Sequence, residues 1–118
     1  MLTTIFVFGS NTEGRHGKGA ALYAKEHYGA IYGKAKGYQG KSYAIITKDL
    51  SKGKRSISLE YIDQQIKEFN KYTWQDFDSN YIISALGMSL AGYTKKEIKG
   101  LFVKYTWPDT VFFHSKFL

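Results

Sequence analysis

Cysteine is absent from the sequence, and proline occurs once, at Pro108. The first absence excludes disulfide staples and thiolate metal centres, and it suits a reducing compartment. Long apolar runs are also missing, so no segment reaches the ~20 residues needed to cross a bilayer as a helix, and no membrane partner is expected. No basic stretch followed by a long apolar segment precedes the first apolar run, which predicts a cytoplasmic protein with no secretory signal. Acidic residues are scarce: ten Asp and Glu face seventeen Lys and Arg, for a formal net charge of +7. That excess favours anionic partners such as nucleotides or nucleic acid, or else serves solubility. Most lysines are scattered singly. The one concentration is Lys48, Lys52, Lys54 and Arg55, which reads as a basic loop.

Apolar side chains, by contrast, are plentiful. Hydrophobic residues make up 43 % and aromatics 17 % of the 118 residues, enough for one core without staples. One domain over residues 1–118 is expected, with no repeat or linker. Thr4–Phe8 is a β-branched and aromatic run ended by Gly9-Ser10-Asn11, and it reads as a buried strand. Ala20–His27 reads as a helix stopped by Gly29, with Ala20, Ala21 and Ala24 small enough to pack closely on a sheet. Ala30-Ile31-Tyr32 is a candidate edge strand, and Ser42–Thr47 a second buried strand. Ser58 is a candidate N-cap for a helix from Leu59 to about Tyr72, with Leu59, Ile62, Ile66 and Phe69 on one face. Asn80–Leu86 holds a third strand. Thr94 and Glu97 form a capping box for a helix that buries Ile98, Leu101, Phe102 and Tyr105, and Thr110–His114 is a last strand.

Alternating strands and helices predict an α/β fold: a three-layer α/β/α sandwich around a mixed, mostly parallel sheet. Ligands in such folds bind beyond the carboxyl ends of the strands. That rule selects Gly9–Gly19, Thr47–Asp49 and Gly87–Tyr93, each directly after an apolar strand.

In the first segment Gly17 and Gly19 lack Cβ, so backbone amides can approach an anion, and the following helix points its free amides the same way. Lys18 and Arg15 add charge. The segment lacks the GK[ST] ending of a Walker loop, and its glycine spacing is not that of a dinucleotide fingerprint. The bland alternative is a glycine-rich turn between strand and helix. The segment Gly87-Met88-Ser89-Leu90-Ala91-Gly92-Tyr93 offers small residues, amides and the Ser89 hydroxyl. Two such loops on neighbouring strands would make a clamp for a diphosphate.

Single residues carry two readings each. His16 is an acid, a base or a phosphate contact, or else a surface loop residue. Asp49 accepts a proton or a ribose hydroxyl, or else pairs with Lys48 or caps the next turn. Tyr32, Tyr38 and Tyr93 lie in glycine-containing segments and are candidates to stack on a base, while Tyr23, Tyr43 and Tyr81 read as core. His16, His27 and His114 show no zinc-ligand spacing, so no metal is expected.

Asn11 followed five residues on by His16-Gly17-Lys18-Gly19-Ala20-Ala21, together with Ser89-Leu90-Ala91-Gly92-Tyr93, resembles the macro domain, in a compact, divergent form of the kind found in bacteria and bacterial viruses. The resemblance covers Ile5–Ala24 and Tyr81–Phe102. The stretch Gly37–Asp49 resembles the divergent subgroup. Position 89 is Ser where the family usually has Gly, and the family's early acidic residue for the adenine amino group has no counterpart.

The resemblance implies binding of ADP-ribose or a related NAD-derived nucleotide, with no cofactor. Asn11 would contact the distal ribose and orient a catalytic water. Gly9, Ser10, Gly17, Lys18, Gly19 and Ala20 would form one side of the site, and Thr47 and Lys48 would also bind the ligand. Gly87, Met88, Ser89, Leu90, Ala91, Gly92 and Tyr93 would form the other. If the protein is a hydrolase of an ADP-ribose conjugate, Asn11, His16 and Asp49 are the catalytic candidates. The alternatives are a non-catalytic viral protein that sequesters a nucleotide signal, a basic nucleic-acid-binding module whose affinity falls steeply with salt, and a structural domain that has lost its ligand.

Overall fold

The structure, a computed structural model, describes residues 2–117. Its strands are β1 (Thr3–Asn11), β2 (Gly37–Gln39), β3 (Ser42–Lys48), β4 (Ser79–Ile83) and β5 (Val111–Phe113). Its α-helices are α1 (Gly19–His27), α2 (Leu59–Thr73) and α3 (Lys95–Phe102). The strands form one sheet in the order β2-β3-β1-β4-β5. All pairings are parallel except β2 with β3, so the sheet is mixed.

Alternation along β1 sends its side chains to two different layers. Ile5 and Val7 join Tyr43 and Ile45 of β3 in a core completed by Ile62, Ile66 and Phe69 of α2 and by Ile98 and Phe102 of α3. Phe6 and Phe8 point the other way, into a smaller core with Ala44, Ala21 and Ala24. The alanines on both sides of that contact let α1 lie close to the sheet. The result is the three-layer α/β/α sandwich that the element order predicts.

The two helices of the larger layer are each started by a side-chain cap. Ser58 Oγ accepts the Tyr61 amide at the start of α2. Thr94 and Glu97 form the expected capping box at the start of α3. Each of these helices also carries a glutamate in its first turn, where it complements the helix dipole.

Several local expectations are corrected. β1 does not stop at Phe8 but runs through Gly9-Ser10-Asn11, because Gly9 and Ser10 keep pairing with Ile45 and Ile46 of β3. Ala30–Tyr32 is not a strand; the edge position is taken by Gly37–Gln39. Tyr23 is 48 % exposed and is not core, whereas Tyr43 and Tyr81 are buried. Tyr105 lies beyond the end of α3.

Candidate functional site

The carboxyl ends of β1, β3 and β4 open into a cavity of about 530 Å³. That volume falls in the range typical of small-molecule sites. Its walls come from three segments that are far apart in sequence. Gly9, Ser10 and Asn11 end β1, and Gly17–Ala21 open α1. Thr47 and Lys48 end β3, Leu50 follows it, and residues 85–91 follow β4.

The first wall is the start of α1, and it differs from the other two helix starts. Its N-cap position is Lys18, which makes no side-chain capping bond, and its first turn holds no acidic residue. A cation there opposes the helix dipole unless an anion intervenes. The amides of Gly19, Ala20 and Ala21 have no acceptor within the described residues; the first intrahelical bond runs from Leu22 to the Lys18 carbonyl. Gly19, Ala20 and Ala21 all border the cavity, together with Gly17.

Asn11 shapes the loop in front of that helix. Its Oδ1 accepts the Arg15 amide at 2.9 Å and the Glu13 amide at 3.3 Å, while its Nδ2 donates to the Arg15 carbonyl at 3.0 Å. The side chain thus folds residues 12–15 back over the end of β1. Arg15 is held at the rim, where it also pairs with Glu13 at 3.2 Å.

The floor is set by a slip in strand pairing. Ser10 faces Ile46, but Asn11 faces Lys48, so Thr47 is an extra residue on β3. A bulge of this kind redirects side chains at a strand end. Here Thr47 Oγ1 donates to the Ser10 carbonyl at 3.3 Å, and the Thr12 amide bonds the Lys48 carbonyl at 3.0 Å. Lys48 is left half-buried at the cavity floor.

The opposite wall turns sharply at Gly87 (φ 79°), where a Cβ would sit 2.6 Å from Ile98 Cδ1 of α3. Ser89 follows with φ 54°, the left-handed conformation usually left to glycine or asparagine. The amides of Met88, Ser89 and Leu90 have no partner within the described residues, whereas those of Ala91, Gly92 and Tyr93 close turns onto the same loop.

Most of the residues singled out from the sequence border the cavity: Gly9, Ser10, Asn11, Gly17–Ala20, Thr47, Lys48 and Gly87–Ala91. Five are placed elsewhere. His16 is fully buried, not a surface residue: its Nε2 donates to the Lys34 carbonyl and Gln39 Oε1, both at 3.0 Å, and its ring packs edge-on against Phe8. Asp49 turns away to accept the Ser51 hydroxyl and amide at 2.6 and 2.9 Å, which holds its carboxyl below the usual range. Gly92 and Tyr93 lie behind the second loop, the Tyr93 hydroxyl bonded to the Ile57 carbonyl. Tyr38 sits elsewhere in the fold, bonded to the Tyr81 hydroxyl at 2.7 Å.

Tyr32 does border the cavity and is 57 % exposed. It reaches there because the Gly33 amide bonds the Gly14 carbonyl, which pins this irregular segment to the first loop. Arg15, Leu50 and Ala85 also border it. No periodicity marks them; only the closure of the loops brings them in. The lining contains the cations Arg15, Lys18 and Lys48 but no carboxylate and no imidazole. Among the described residues, no group of three potential His, Cys, Asp or Glu ligands lies together. No helix there is long and apolar enough to cross a membrane.

No protein-family model matches the sequence, and no curated protein is significantly similar to it. Its fold is similar to that of a solved structure, Thermosipho africanus DarTG in complex with ADP-ribose, with a TM-score of 0.63 and 16 % identity. Its fold is macro-domain-like. The match covers 98 % of this chain and 39 % of that one. The likeness thus extends over nearly the whole of this chain, and with few residues identical it is a likeness of fold.

Proposed function

We propose that this macro-like domain binds ADP-ribose or a closely related NAD-derived nucleotide in the cavity at the strand ends. The observation that carries the reading is the uncapped start of α1. Three free amides and a lysine at the N-cap border a cavity whose other wall offers the free amides of Ser89 and Leu90. A diphosphate would take up both sets of donors and turn the misplaced Lys18 into an asset. Tyr32 and Leu90, both largely exposed at the rim, supply apolar surface for the nucleoside parts. The structural neighbour was solved with ADP-ribose bound, which agrees with this reading.

The geometry favours holding the ligand over acid–base hydrolysis. Asn11 spends its amide on the loop, His16 is buried behind it, and Asp49 faces Ser51. A carboxylate or imidazole base would have to come from outside the lining.

The test is a thermal-melt series with ADP-ribose, AMP and a short single-stranded oligonucleotide at low and high salt. Ligand binding to the folded state alone raises the melting temperature by mass action. ADP-ribose is expected to raise it at both salt concentrations, AMP less. A shift produced by the oligonucleotide alone, and lost in high salt, would support the nucleic-acid reading instead.

A further inference from the structure

Two non-glycine residues among those described have a positive φ: Ser89 (54°) in the second loop and Arg55 (57°) in the basic loop. Left-handed backbone at such residues persists only where the surroundings enforce it. The two strained residues belong to segments that are bound to each other. The Arg55 amide donates to the Ala91 carbonyl at 2.7 Å. Its guanidinium forks onto Glu97, with Nη1 to Oε1 at 3.0 Å and Nη2 to Oε2 at 2.6 Å, and lies 4.5 Å from the centroid of the Tyr93 ring. Next to it the Lys54 stem covers Gly92, where a Cβ would be 2.6 Å from the Lys54 Cβ.

The other end of the basic loop is also closed. The Asp49 amide donates to Ser56 Oγ at 2.8 Å, and the Lys52 amide to the Asp49 carbonyl at 3.0 Å. The loop is therefore a closed unit, with one end continuous with Lys48 at the cavity floor and the other fastened to the second loop. We propose that Arg55 is a positioning residue: by tying residues 49–56 to the loop 87–93 it fixes the separation between the cavity floor and the Ser89–Leu90 amides. The guanidinium does not border the cavity, so it acts through the loop and not on the ligand. The planar fork matters as well as the charge, because it meets both oxygens of Glu97 while lying over the Tyr93 ring. Its role in ligand affinity rests on the ADP-ribose reading; its role in holding the loop does not.

The experiment combines amide hydrogen exchange in the free protein with ADP-ribose titration, on wild type, Arg55→Ala, Arg55→Lys and Arg55→Gly. Arg55→Gly removes the guanidinium while tolerating the positive φ, so it separates the fork from backbone strain. Faster exchange is expected at Ala91–Tyr93 in all three variants, with the amides of β1 and β3 unchanged. ADP-ribose affinity is expected to fall roughly tenfold, within the usual span of coupling between distinct sites, with Lys restoring little of it. Unchanged exchange at Ala91–Tyr93 in Arg55→Gly, or acceleration spread evenly over the sheet, would overturn the proposal. So would Arg55→Lys matching wild type in both measurements. If wild type fails to bind ADP-ribose, the nucleotide reading falls and the exchange result still decides the strap.

Discussion

The side-chain amide of Gln65 brackets the backbone of Ile46: Oε1 accepts its N–H at 2.7 Å and Nε2 donates to its carbonyl at 2.8 Å. β2 pairs with β3 only as far as Ala44, so the Ile46 peptide groups would otherwise meet no strand on that side. The buried Gln65 of α2 stands in for the missing strand just before Thr47 and Lys48 reach the cavity floor. Gln65→Leu keeps the bulk but leaves a buried donor and a buried acceptor unpaired. It is expected to cost about 2–4 kcal/mol, read from urea unfolding. A loss within error of zero would mean that water replaces the amide.

Gly17 separates the two meanings of a glycine beside an anion site. Its φ is ordinary, and a Cβ there would meet nothing within 4 Å, so a side chain strains neither backbone nor packing. Gly19 is also open but has φ 55°, so Gly19→Val would mix occlusion with backbone strain. Gly17→Val should keep its wild-type melting temperature and lose ADP-ribose binding in calorimetry. Full retention of binding would show that the ligand does not approach this edge of the cavity.

Ser89→Gly tests the strain in the second loop. Relief of the left-handed penalty outweighs the extra chain entropy of glycine, so a net gain of about 0.5–1 kcal/mol is expected from chemical denaturation. The affinity of the same variant for ADP-ribose reports what the hydroxyl contributes. Destabilisation would mean that the hydroxyl itself holds the turn.

Glu97 links the strap to pH. The Arg55 guanidinium first, and the Thr94 amide next, lower its carboxyl from 4.5 to about 2. A carboxyl with a depressed folded pKa contributes stability above its unfolded value, and that contribution is lost as pH falls through the folded one. Wild-type stability should therefore decline between about pH 4.5 and pH 2 partly through this group. Glu97→Gln should be less stable at neutral pH and show a shallower acid decline. Parallel pH curves for the two proteins would show that the pairing does not carry this dependence.

The elements of this fold were legible because β1 and β3 contain short apolar runs and α2 repeats its apolar residues at the helical period. The run Ile5–Phe8, and Ile62, Ile66 and Phe69 along one helical stripe, need no knowledge of their partners. Ser58 and Thr94 were legible for a similar reason, since a cap acts within one turn. The loops that border the cavity were legible from their glycines and their place after strands. What sequence alone did not resolve depends on long-range closure. His16 is buried by Gln39, twenty-three residues away, and Tyr32 is carried to the rim by a bond between Gly33 and Gly14. Arg55 reads as one more cation in a basic loop until the fold sets it against Glu97 and Tyr93.

In the proposed complex, free amides at the start of α1 and in the second loop hold a diphosphate. Backbone amide NMR shifts during titration with ADP-ribose test this most directly, because each donor reports for itself. Saturable shifts are expected at Gly19, Ala20, Ala21, Ser89 and Leu90, with the amides of β5, at the edge of the sheet beyond β4 and outside the cavity lining, unmoved. Saturable binding that leaves those five amides in place, or no binding at millimolar nucleotide, contradicts this arrangement.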